Sequence, residues 1–253
     1  KKKIKANLII GADGFPSKSA SRAKINNIGR NYNQSSITGV VKHEYEHNNE
    51  AFQIFLPSGP LAILPLKGNR SCFVWTMETS EANIIYKMDK DSFLVSLKRV
   101  FGNQRGELEL ETPINIFPIS LSISEKLVQE KFALIGDSAH KIHPIAGQGL
   151  NLGIRDVASL AEVLILAIRS GEDIGAINVL NRYSKWRNFD ILTMSIFTDL
   201  TNNLFSNNNF ILQIGRGIAF NFINNSPNLK EYLIKEASGS IGEIPKLLKG
   251  KDI

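Results

Sequence analysis

The chain has 253 residues, of which 43% are hydrophobic and 21% charged, a balance that excludes a disordered segment and supplies enough apolar surface for one or two cores. Its single cysteine, Cys72, excludes an internal disulfide and fits a reducing compartment. The net charge of +6 is concentrated in residues 1–30, where eight Lys and Arg face Asp13 alone; this argues for a solvated basic start and against a uniformly basic nucleic-acid face.

Lys1–Lys5 leads into a short apolar run, Ala6–Ile10, which ends at Gly11 and reads as a buried strand. No secretory leader is expected from so short a run, and no segment reaches the roughly 18–20 apolar residues of a membrane-spanning helix. The stretch from Ser35 to Ile123 is rich in β-branched and aromatic residues. Its runs Ser36–Tyr45, Ala51–Leu56, Leu61–Leu66 and Ser71–Thr79 are separated by Pro57–Pro60 and Lys67–Asn69, a spacing that predicts an antiparallel meander. Cys72 lies within the last of these runs and reads as a buried structural thiol. Glu81–Lys87 and Asp91–Phe101 have helical character, the second with Phe93, Leu94, Leu97, Val100 and Phe101 at helical spacing. Leu108–Ile123 returns to strand.

Phe132–Ile135 reads as a second buried strand, followed by a glycine-rich loop and a long helix over Leu150–Arg169 that stops before Gly171. After Asp173 helices are expected over Ile174–Phe205 and Phe210–Ile223, broken at Asn207–Asn209. The order strand, β-rich insert, strand, helix predicts an α/β (α+β overall) fold: a nucleotide-binding domain interrupted by a sheet domain, with C-terminal helices. The corresponding boundaries are 1–34 with 129–172, then 35–128, then 173–253.

The loop Gly136-Asp-Ser-Ala-His-Lys-Ile-His-Pro-Ile-Ala-Gly-Gln-Gly149 carries the chemistry. At the C-terminal edge of a parallel strand, Asp137 can accept hydrogen bonds from ribityl or ribose hydroxyls. Pro144 stiffens the approach, and Gly147 and Gly149 let backbone amides come close to a flat ring system. The helix that follows points its positive end at that ring, and Asn151 can both cap the helix and bind the ring edge. An ordinary glycine-rich connection with capping is the competing reading. His140 and His143 lie three apart beside Asp137, but no Cys or further His is placed to complete a zinc site. His43 and His47 alternate with Glu44 and Glu46 on a predicted strand, so no metal is expected. Ser138 lacks a nucleophile-elbow sequence.

Leu8–Gly14 and the run Gly136-Asp-Ser-Ala-His140…Pro144-Ile-Ala-Gly-Gln-Gly-Leu-Asn-Leu-Gly153 resemble the flavin motifs of the p-hydroxybenzoate hydroxylase class. Gly59–Pro65 and Arg155–Glu162 extend the likeness toward the ubiquinone-biosynthesis hydroxylases, of the 2-polyprenyl-6-methoxyphenol hydroxylase kind, over about Asn7 to Asn224. The resemblance implies an FAD-binding three-layer domain, incomplete here, interrupted by an antiparallel-sheet substrate domain. It implies FAD, held by Asp13, Gly14, Asp137, Pro144, Gly147, Gln148, Gly149, Leu150 and Asn151, with NAD(P)H as co-substrate. The reaction it implies is hydroxylation of a polyprenyl phenol by dioxygen. It also implies a cytoplasmic protein peripheral to the inner face of a membrane, in contact with other ubiquinone-biosynthesis proteins and with no nucleic acid. No acid–base residue is assigned.

Two departures accompany the likeness. The family's Asp–Gly motif continues Ser-x-x-Arg, whereas Ser17 is followed three positions later by Ala20. The family's Gly-x-Gly-x-x-Gly pyrophosphate loop has no counterpart, so the chain reads as the C-terminal part of a longer enzyme. Another flavoprotein oxidoreductase, or a non-catalytic subunit of a biosynthetic complex, are the alternatives. The isolated Trp75 and Trp186 speak against a halogenase.

Overall fold

The computed structural model describes residues 3–205, 226, 227, 231 and 243–253. In chain order its elements are β1 (Ile9–Gly11), α1 (Lys18–Arg22), β2 (Asn27–His43), β3 (Phe52–Leu56), β4 (Gly59–Leu66) and β5 (Arg70–Glu78). Then come α2 (Thr79–Tyr86), α3 (Lys90–Phe101), β6 (Leu108–Leu110), β7 (Asn115–Ser124), β8 (Val128–Gln129) and β9 (Phe132–Leu134). β10 (His140–Lys141), α4 (Gln148–Arg169) and α5 (Ile177–Phe205) follow, with short 3-10 turns at Gly136–Ser138, Ile145–Gly147 and Lys246–Lys249. The chain divides into two units, one of Lys1–Arg30, Leu121–Asp199 and Gly217–Ile253, the other of Asn31–Ser120 and Leu200–Arg216.

In the first unit, β1 runs parallel to β9, Ile9 opposite Phe132, and β8 lies antiparallel on the far side of β9. The Ala6–Ile10 run does not form the buried strand expected from its composition. Only Ile9 and Ile10 join the sheet, at its edge among the described residues, and they are 58% and 44% exposed. β9 is the buried strand, with Ala133 and Leu134 fully enclosed by α4 and α5 residues such as Leu160, Val163, Leu180 and Tyr183. The Tyr183 hydroxyl donates to the Leu134 carbonyl at 2.9 Å, tying α5 to that strand. The C-terminal turn is fixed to the same helices: Trp186 Nε1 donates to the Glu243 carbonyl, and Lys246 N to Glu162 Oε2.

In the second unit the hairpins β3–β4 and β4–β5 are antiparallel, as the turn signals predict. The order departs from a simple meander, because β2 pairs with β5 rather than with β3, Ile37 standing opposite Trp75. Residues 44–51 carry the chain across the sheet from β2 to β3. β2 also begins nine residues earlier than the apolar pattern showed, through the polar stretch Asn27–Ser35. Pro113 lies in the gap between β6 and β7, which splits the expected Leu108–Ile123 strand.

Alternation along β5 sends Phe73, Trp75 and Met77 to one face, where they pack with Ile37, Leu61, Phe93, Leu97 and Phe101. Each such side chain, fully buried, contributes about 1.5–3 kcal/mol. Cys72 points to the other face and is only half-buried, so it is no core thiol; partial burial nonetheless pushes its pKa up. α3 follows from its periodic apolar residues, its Asp89 N-cap accepting from Asp91 N and Ser92 N, and Gly102 at its end. His43 ends β2, while His47 lies beyond it in the connection to β3. Both are held as buried struts, His43 Nε2 within 3.0 Å of Ser71 Oγ and His47 Nε2 within 2.7 Å of the Leu66 carbonyl. The helix expected over Phe210–Ile223 lies outside the described residues.

Candidate cofactor site

The first loop of the site follows β1. Asp13 is exposed, yet its carboxylate is occupied by its own neighbours. Oδ1 accepts from Ser17 Oγ at 2.8 Å, Ser19 Oγ at 2.6 Å and Ser138 Oγ at 3.1 Å, and Oδ2 accepts from Ser19 N at 2.8 Å. The Ser19 and Ser17 hydroxyls stabilise the anion most, and they hold its pKa well below the usual carboxylate range. Ser17 also caps α1 by accepting from Ala20 N. Ser138 accepts from Gly14 N at 2.9 Å, so the two motifs, 124 residues apart in sequence, meet through one buried hydroxyl.

The second loop leaves β9 in a tight 3-10 turn, with Gly136 in the left-handed region at φ 59°. Asp137 stands at its apex with an exposed side chain. The turn rests on α4, where a Cβ on Gly153 would come within 3.3 Å of Gly136 Cα, so glycine at both positions allows backbone to touch backbone. Beneath it lies a buried ionic cluster that the spacing of the motif did not disclose. Asp156 Oδ2 accepts from Gly136 N at 2.8 Å and lies 2.5 Å from His140 Nε2, and Oδ1 accepts from Arg187 Nε at 2.7 Å. Arg187 also pairs with Asp190 and donates to the Leu152 carbonyl.

Asp156, His140 and Arg187 are all fully enclosed. Burial pushes the Asp156 carboxyl upward, but the hydrogen bonds and charges of His140 and Arg187 outweigh it and hold the group below its ordinary value. An ionised carboxylate only accepts, so Nε2 is the protonated nitrogen of His140. A buried Asp on one amphipathic helix and a buried Arg on the next are the signal that would have pointed to this cluster.

His143 is buried too, its Nδ1 accepting from Ile145 N at 3.3 Å. Desolvation pushes its pKa down to about 4, against the opposing charge of Asp199. After Pro144 a further 3-10 turn brings the chain to Gly147, left-handed at φ 64°, and α4 begins at Gln148 rather than at Leu150. Asn151 therefore falls inside the first turn and does not cap the helix. The N-cap residue is Gly147, and no side chain caps α4. Added Cβ atoms on Gly147 and Gly149 would meet only open space, while Gln148 is buried and Leu150 is 74% exposed. An uncapped helix N-terminus, side-chain-free glycines and an exposed carboxylate thus belong to one loop, the chemistry that suits an anionic group bearing hydroxyls.

A family model described as FAD binding domain matches residues 1–188. The chain belongs to the FAD binding domain family. Among relatives, the ubiquinone hydroxylase UbiL of Rhodospirillum rubrum is 36% identical over 98% of this chain and 58% of its own length. The mitochondrial ubiquinone biosynthesis monooxygenase COQ6 of Danio rerio is 33% identical over 94% of this chain and 56% of its own. The chain thus spans somewhat over half the length of the curated relatives it matches. The p-nitrophenol 4-monooxygenase PnpA of Pseudomonas putida DLL-E4 shares the family's fold, with a TM-score of 0.75 at 18% identity over 91% of this chain and 59% of that one. Among the described residues, no helix is long and apolar enough to cross a membrane, and no group of three or more His, Cys, Asp or Glu side chains is placed to hold a metal ion.

Proposed function

We propose that residues 8–19 and 133–156 form part of the FAD site of an aromatic-ring monooxygenase that hydroxylates a prenylated phenol in ubiquinone biosynthesis. The observation that carries this reading is the junction of the two motif loops at Ser138, beside a helix start that no side chain caps. The names of the relatives UbiL and COQ6 supply the reaction class. When bound, FAD reduced by NAD(P)H activates dioxygen for transfer of one oxygen atom to the electron-rich ring.

In this reading the exposed Asp137 carboxylate accepts the ribityl hydroxyls, and the amides of Gly149, Leu150 and Asn151 face the anionic edge of the ring system. Pro144, Gly147 and Gln148 shape the approach. Asp13 acts through Ser17, Ser19 and Ser138 to hold Gly14 in place, rather than by direct contact. Residues 35–128 provide the sheet that binds the ring. A polyprenyl tail partitions into a bilayer, which puts the enzyme at a membrane surface as a peripheral protein with dioxygen as co-substrate.

The test is an absorption spectrum of the full-length protein after gel filtration with FAD, followed by NAD(P)H oxidation with a polyprenyl phenol. Retained flavin bands and a product heavier by one oxygen atom are expected. A protein that retains no flavin overturns the reading and leaves a non-catalytic role.

A further inference from the structure

We propose that Asp156 is the positioning residue of the cofactor loop: one carboxylate oxygen clasps both ends of the turn that presents Asp137, and the other anchors that clasp to α5. The inference rests on the FAD reading above and adds a residue that touches no cofactor. The geometry is specific. Oδ2 alone takes the Gly136 N–H, at the turn's first residue, and the His140 Nε2–H, just past its end. Within the turn the Ala139 N–H donates to the Gly136 carbonyl at 2.8 Å, and Ser138 fixes the outer side to Asp13 and Gly14. Asp137 lies between these fixed points, so its direction is set by atoms it does not touch.

Oδ1 receives Arg187 Nε from α5, which grips β9 independently through Tyr183. Packing alone needs none of this, because Gly136 and Gly153 already meet by backbone contact. A carboxylate buried in the ionised form, with the desolvation cost that entails, makes sense where three donors of fixed direction must converge on one point.

The experiment uses the full-length protein and two double variants that leave no unpaired buried charge. D156L/R187M removes the acceptor, whereas D156N/R187M keeps one acceptor oxygen for Gly136 N and His140. Two quantities are read in each folded protein: hydrogen exchange at the Gly136 amide without flavin, and FAD affinity with the visible circular dichroism of the bound flavin. D156L/R187M is expected to lose protection at Gly136, to weaken FAD binding by about tenfold and to alter the flavin spectrum. D156N/R187M is expected to recover most of all three.

Unchanged Gly136 protection in D156L/R187M overturns the clasp while leaving the FAD reading intact. Lost protection with unchanged affinity and spectrum reduces Asp156 to a purely structural residue and also overturns the proposal. Wild-type protein that protects Gly136 but binds no flavin instead overturns the FAD reading, and the positioning role with it.

Discussion

The two loops of the site spend their carboxylates in opposite ways. In the loop after β1, Asp13 is exposed yet turned inward, each oxygen taken by a serine hydroxyl or amide of its own chain. In the loop after β9 the inward role passes to Asp156, twenty residues further on and fully enclosed, and the motif aspartate Asp137 is left facing outward. A motif aspartate therefore does not declare its task. What decides it is whether the motif aspartate itself or a distant buried carboxylate supplies the internal acceptor.

The comparison breaks most sharply at Asp156. D156N leaves Arg187 with the less buried Asp190 as its counter-charge and is expected to lower the unfolding free energy by about 3 kcal/mol, read by urea denaturation. The second loop also carries a pH signature. His143 titrates at about 4 when folded and at 6.5 when unfolded, so between those values the unfolded chain binds the proton that the native state refuses. Its contribution is complete above pH 6.5 and is lost as the pH falls toward 4, amounting to about 3 kcal/mol. H143Q is expected to flatten that part of the stability profile relative to wild type.

The junction of the loops is expected to be weaker. S138A removes one shared hydroxyl and should cost about 1 kcal/mol, with a matching loss of hydrogen-exchange protection at the Gly14 amide. Smallest in stability is D137A, expected to change the unfolding free energy by no more than about 0.5 kcal/mol while weakening FAD binding by about tenfold. A large stability loss in D137A would abolish the contrast between the outward and inward carboxylates.

The parts of this fold legible in the sequence are those set by local pattern. α3 follows its apolar periodicity, α4 and α5 lie within three residues of the expected helices, and the hairpins β3–β4 and β4–β5 follow their turn residues. The polar first half of β2 was hidden, because its partners rather than its own composition make it a strand. Ile9 and Ile10 misled in the other direction: an apolar run at a sheet edge has the composition of a buried one. In the candidate site, the glycines and Asp137 are singled out by their spacing. The Asp156 cluster does not, since its bonds reach 16, 20 and 31 residues along the chain. Asn151 failed as a cap because a left-handed Gly147 starts α4 earlier than the apolar pattern does.

The parallel pairing of Ile9 with Phe132 has a kinetic meaning. During synthesis Ile9–Gly11 emerges more than a hundred residues before Phe132–Leu134, the strand it pairs with among the described residues, so this pairing cannot form until Leu134 has left the ribosome. The hairpins from Phe52 to Glu78, by contrast, close over neighbouring residues as they appear. Chain order thus lets the hairpins of the second unit form early, whereas the two motif loops can meet only after Ser138 has emerged.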